Sequence, residues 1–132
     1  MHIYMRYTSS MEALVSMDRD RRAETLLPLR PVEFQILLSL AGGERHGYGI
    51  IQEARERSET VPDVGTLYRA LARMVDQGLI EATDSQADTG DERRIYYRIT
   101  PPGLRVAKAE ARRLEALARA ARLGGLLGKA AK

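Results

Sequence analysis

Two histidines, His2 and His46, and no cysteine are the only imidazole or thiolate groups in this 132-residue chain, too few for a transition-metal site. Neither histidine has a nucleophile and a carboxylate near it in a recognisable catalytic constellation, so no catalytic residue, metal or cofactor is assigned. "HGYGII" at 46–51 supplies two glycines of a phosphate-cradling G-x-G-x-x-G loop, but position 52 is glutamine, and a nucleotide site is not expected. His46 reads instead as a helix-start or satisfied core residue. Gly47 and Gly49 allow close approach of neighbouring backbone; alternatively, free N–H groups at this helix start meet an anion, helped by the Tyr48 hydroxyl.

The chemistry that remains is that of arginine. In "VPDVGTLYRALARMVDQGLI", residues 61–80, Leu67, Leu71, Met74 and Val75 form one apolar stripe at helical spacing, with Asp63 as N-cap and Gly78 as stop. Arg69 and Arg73, four residues apart, fall on the opposite side with Thr66 and Asp76, and Tyr68 stands at the flank. The planar guanidinium offers two aligned donors that match guanine edges and phosphates. Both arginines are expected to be exposed and Leu71 buried. An ordinary solvated helix face has the same pattern.

Around this segment the elements are legible from periodicity. Residues 1–28 form a leader of uncertain status, with Ser9 and Glu12 at capping-box spacing ahead of a short helix and with Met5, Met11 and Met17 as alternative starts. "PVEFQILLSLAG" is a helix whose Phe34, Leu37, Leu38 and Ala41 share a face, ended by Gly42 and Gly43. "HGYGIIQEARERS" is a short second helix that turns Ile50, Ile51 and Ala54 inward, with Tyr48, Gln52 and Arg55 on another side. After the third helix come a strand from Leu79 to about Thr83, a polar turn containing "DTGD", and a strand "RRIYYRI" in which Ile95, Tyr97 and Ile99 alternate with Arg94, Tyr96 and Arg98. Arg93 and Arg94 can clamp phosphates or pair with the surrounding Asp84, Asp88, Asp91 and Glu92.

Thr100 and Pro101 then open a long helix to about Arg122, where Leu104, Ala107, Ala111, Leu114, Ala118 and Ala121 repeat at spacings of three and four. That is a heptad seam, which lies on its own domain or pairs with a second chain. The fold class is therefore mainly α with a small β-hairpin: a winged helix-turn-helix over 29–100, a C-terminal dimerisation helix over 101–123 and a flexible tail over 124–132. In such a fold the third helix enters the major groove.

The net charge of +3 divides into +1 for residues 1–30, −4 for 31–100 and +6 for 101–132. A basic protein suits a polyanionic partner, although the basicity sits in the tail. The lack of cysteine, of a long apolar run and of a signal-peptide pattern leads to the expectation of a soluble, cytoplasmic protein.

"GERHGYGIIQEARERS", "GTLYRALARMVDQGLIEA" and "DERRIYYRITPPG", in this order over about residues 29–120, resemble the PadR family of transcriptional regulators. The resemblance implies a homodimeric winged helix that represses a nearby promoter, with recognition residues on the helix after GTLY and dimerisation through the C-terminal helix. On this chain those positions hold Thr66, Tyr68, Arg69 and Arg73, with Arg93 and Arg94 as the basic wing pair. The single C-terminal helix resembles the family's short branch. Arg30 and Val64 depart from the family's usual polar cap residue and proline. Some short-branch members stack flat apolar drugs on tryptophan; this chain has no tryptophan and one phenylalanine, so that ligand is not carried over, and a small-molecule inducer stays open. The expected partners are double-stranded DNA, as an inverted-repeat operator, and a second copy of the chain; no membrane is expected. A winged-helix protein-interaction module without DNA reading is the alternative, suited to the acidic middle segment.

Overall fold

The computed structural model describes residues 2–58, 63–84 and 95–128, and the side chains of 10–58, 63–83 and 95–128. Among the described residues, five helices and three strands follow in the order α1 (His2–Thr25), α2 (Pro31–Ala41), β1 (Arg45–His46), α3 (Gly47–Arg57), α4 (Val64–Asp76), β2 (Ile80–Asp84), β3 (Ile95–Ile99) and α5 (Pro101–Leu123). The sheet is antiparallel with order β1-β3-β2. Helices α2, α3 and α4 enclose the core, the sheet closes one side, and α5 lies against α2 with α1 along it.

The caps are made as the local chemistry requires. The Asp63 carboxylate accepts from the Thr66 N–H at 2.6 Å and starts α4, while Gly78 takes the left-handed turn (φ 74°) that follows its end. Thr100 starts α5 by accepting from the Gly103 N–H at 3.1 Å, and its hydroxyl also donates to the Gly78 carbonyl at 2.6 Å. The first turn of α5 is thereby seated on the exit of α4. Gly103 is required there, because a Cβ would lie 1.9 Å from the Leu79 carbonyl oxygen.

Leu67, Ala70, Leu71 and Met74 of α4 are buried against Ile36, Leu37 and Leu40 of α2 and Ile50 and Ile51 of α3. Val75, expected in this stripe, is only half-buried at its margin. Helix α2 is turned from its expected orientation. Its buried residues are Val32, Glu33, Ile36, Leu37, Ser39 and Leu40, whereas Leu38 and Ala41 are exposed and Phe34 is half-buried. The cause is polar satisfaction: Ser39 accepts from Arg57 of α3 at 2.8 Å, and Glu33 accepts from Arg73 of α4 at 3.3 Å, so both polar side chains are tolerated inside.

Three further expectations are corrected. The leader is a 24-residue helix with Ser9 inside it, so Ser9 does not begin it. The hairpin gains a third strand, with Arg45 opposite Tyr97 and His46 opposite Tyr96. Within β3, Tyr97 is buried but Ile95 is exposed. Arg93, Arg94 and the "DTGD" turn lie outside the described residues.

Glu110 of α5 is 1% exposed and is satisfied by the Arg113 guanidinium and by the Leu29 N–H at 2.8 Å. The bonds from Arg113, joined by that from Leu29, outweigh burial and hold its carboxyl below the ordinary glutamate value of 4.5. A carboxylate with a depressed folded-state pKa contributes stability above its unfolded value and loses that contribution as pH falls through the folded one. Glu110→Gln is therefore expected to flatten the fall in thermal stability from about pH 5 downwards, measured by melting curves across that range; parent and variant falling in parallel would show that Glu110 contributes nothing to it. Leu71→Ala, which empties a fully buried site, is expected to cost about 2–5 kcal/mol of stability. A melting temperature equal to the parent's would contradict the placement of this side chain.

Candidate nucleic-acid interface

With its apolar stripe buried, α4 presents the opposite face outward. Tyr68 is 46% exposed, Arg69 is exposed and Thr66 half-buried. The Arg69 guanidinium donates to the Thr66 hydroxyl at 3.2 Å, which holds the fork over the first turn. The Asp63 carboxyl sits below its ordinary value of 3.8 because it accepts from the backbone and hydroxyl of Thr66, with Arg69 adding attraction. An ionised Asp63 thus stabilises the helix start beside the side chains that face out.

Arg73 departs from the expected exposure. It is half-buried, and its Nε donates to Glu33 Oε2 at 3.3 Å. Sequence spacing placed it with Arg69, but the residue it meets is forty positions away.

Tyr68 is both exposed and fixed. Its ring lies on the backbone of Gly47, where an added Cβ would come 2.6 Å from the hydroxyl oxygen. The first residue of α3 therefore sets the distance to α4, and the close-approach reading of Gly47 is the one realised. Burial, with Tyr68 nearby, raises the pKa of Tyr97 above its usual value of 10.0, keeping its phenol neutral.

His46 is the N-cap of α3, accepting at Nδ1 from the Gly49 N–H at 3.0 Å. Its ring lies edge-on to Tyr96 of β3, with centroids 5.5 Å apart, and parallel to Tyr48 at 6.5 Å. One imidazole thus joins the start of α3 to the wing and orients the 55%-exposed Tyr48. Because the Gly49 N–H is occupied, it is not among the donors expected for an anion. Gln52 and Arg55 are exposed on α3, and Thr83 donates to Glu44 at 2.7 Å, tying β2 to the segment before β1. The wing is thus tied to the start of α3 by His46, Thr83 and the β1–β3 pairing, and His46 among these carried a sequence signal.

On α5, Leu104 and Leu114 are 38% and 37% exposed; Ala111 and Ala118 are exposed, and Ala107 and Ala121 half-buried. The face that α5 buries within the chain is formed by Gly103, Val106, Ala109 and Glu110, so the heptad seam lies mostly outside it. No group of three or more His, Cys, Asp or Glu among the described residues could hold a metal ion, and no described helix is long and apolar enough to cross a membrane.

Residues 36–109 match the model of the transcriptional regulator PadR-like family. None of the curated proteins matches the chain. Among solved structures, the chain is similar to a PadR family transcription regulator from Clostridium difficile R20291, with 28% identity over 70% of this chain and 95% of the other and a TM-score of 0.65. It is also similar to a transcriptional regulator from Clostridium thermocellum, with 31% identity over 69% and 86% of the two chains and a TM-score of 0.60. Its fold is shared by Bacillus subtilis PadR in complex with operator DNA, at 22% identity over 61% of this chain and 46% of that one, with a TM-score of 0.56. The buried stripe of α4, the wing hinged on β1 and the family match over more than half the chain lead to one conclusion: the protein belongs to the PadR-like family of transcriptional regulators.

Proposed function

We propose that the protein is a homodimeric repressor that reads an inverted-repeat operator through α4. The observation that carries this reading is the outward face of α4, where Arg69 and Tyr68 stand opposite the buried Leu67, Leu71 and Met74. In this reading Arg69 and Tyr68 enter the major groove, Thr66 steadies Arg69, Tyr48 contacts the flanking phosphates, and Arg93 and Arg94 follow the backbone from the wing. The operator complex of Bacillus subtilis PadR supports the DNA partner. Repression follows if the bound dimer occludes a promoter.

The dimer surface is assigned to the seam of α5 together with α1. Met11, Leu14, Val15 and Met17 of α1 are 46–64% exposed, and Leu117 of α5 is 54% exposed, which is apolar area that a second chain can cover. An inducer would find room in a cleft of about 240 Å³ between α1, the end of α4 and the start of α5, with Arg19 and Arg105 among its lining residues.

Arg69→Ala is expected to weaken binding to a duplex that the protein selects from a random-sequence pool by about 1–3 kcal/mol, with the loss confined to one base position. Unchanged affinity would remove Arg69 from the reading face. Parent binding should also fall steeply with salt as counterions are released, whereas a flat salt dependence would mark this face as a protein-docking surface. Glu at both Ala111 and Ala118 would bury unpaired charge in the seam, and sedimentation is expected to show a monomer that binds each half-site weakly. A variant that remains dimeric would place the interface elsewhere.

A further inference from the structure

Two buried carboxylates grip the same short stretch of backbone at consecutive N–H groups. Glu110 of α5 accepts from the Leu29 N–H at 2.8 Å, and Glu33 of α2 accepts from the next one, Arg30 N–H, at 2.9 Å. Each carboxylate also engages an arginine. Glu110 holds Arg113 on its own helix, and the second oxygen of Glu33 accepts from Arg73 on α4. The result is an unbroken polar path from α5, through residues 29 and 30, to the reading helix. Apolar contacts run alongside it, because α2 packs on both α4 and α5 and Val106 shares the core of Leu71 and Met74, and the Thr100–Gly78 bond joins the two helices at the base of α5.

Side chains 11% and 2% exposed, as those of Glu33 and Glu110 are, carry a desolvation penalty that apolar residues at the same sites would avoid. What the carboxylates add is direction, because hydrogen bonds to charged groups constrain angle as well as distance, whereas apolar burial does not. A dimeric reader depends on direction. Its two reading helices must meet successive major grooves about 34–36 Å apart, and that spacing is set by where α4 stands relative to α5 within each protomer.

We propose that Glu110, Glu33 and Arg73 form a positioning strap that transmits the placement of α5 to α4, and that Arg73 serves operator recognition as the α4 end of this strap, not as a group that touches DNA. The inference rests on the dimeric DNA-reading function proposed above. Its observable consequence is discrimination between half-site spacings, which the strap confers without contributing a phosphate contact.

The test uses the full-length chain, a duplex selected by the parent protein from a random pool, and versions of that duplex with the half-sites moved one base pair closer or farther apart. Glu33→Gln and Glu110→Gln each keep a neutral acceptor for their backbone N–H and remove the charge that strengthens and aligns the bond. Each of Glu33→Gln, Glu110→Gln and Arg73→Gln is expected to reduce the parent's preference for the native spacing by about three- to thirty-fold, with the Glu33/Arg73 double variant no worse than either single one. The salt slope should remain that of the parent. Melting curves without DNA confirm that each variant is folded at the assay temperature. If Arg73→Gln lowers the salt slope by about one while Glu33→Gln does not, Arg73 is a phosphate contact and the inference is overturned. Equal spacing preference in the parent and Glu110→Gln overturns it as well. Failure of the pool to yield any enriched sequence instead overturns the DNA-reading function itself.

Discussion

The structure depends on the burial of one apolar face of α4. Leu67, Leu71 and Met74 are at most 1% exposed, and burying three such side chains is worth about 5–9 kcal/mol gross, comparable to the whole net stability of a small domain. The helix cannot rotate to bury another face without losing that amount. The direction in which Tyr68 and Arg69 point is therefore a by-product of core packing. On that outward face Tyr68 is held against Gly47 and Arg69 by the Thr66 hydroxyl, contacts that leave both side chains exposed.

Where the path of the chain is set by local chemistry, sequence reading and structure agree. Asp63 and Thr100 cap their helices through bonds to residues three positions away, and the short separation makes such signals legible. Helix α2 buries a different face from the one its spacing suggests, because "FQILLSLA" is apolar on nearly every side and periodicity cannot choose among them. The choice is made by Arg57 and Arg73, residues eighteen and forty positions downstream of the polar side chains they meet. Strand β1 is two residues long and exists only because β3 passes beside it; no pattern in "RH" announces it. Of the candidate site, the exposure of Tyr68 and Arg69 follows from the apolar spacing of α4, while the engagement of Arg73 and the contact of Tyr68 with Gly47 depend on residues distant in the chain.

The acidic balance of residues 31–100 takes on a different meaning in three dimensions. Glu33 meets Arg73, Glu53 meets Arg45 and Arg57, and Glu81 meets Arg98. Those carboxylates and arginines are largely spent on one another, linking α2 to α4, β1 to α3 and β2 to β3. Arg69 donates to the neutral Thr66 hydroxyl and lies near Asp63, yet stays exposed at the surface. Net charge along a sequence window is thus a poor guide to the field at a surface, because paired groups cancel locally and the unpaired ones determine what a partner meets.

The contact of Gly103 with the Leu79 carbonyl gives α5 the mechanics of a lever. Its base is clamped where α4 ends and β2 begins, and its 23 residues extend about 34 Å at 1.5 Å per residue. A tilt of about 5° at that fulcrum displaces the far end by about 3 Å, half the pitch of a helix. The cleft bounded by Arg19, Gln77 and Arg105 opens beside the same fulcrum, where the smallest change in shape produces the largest travel at the distant tip.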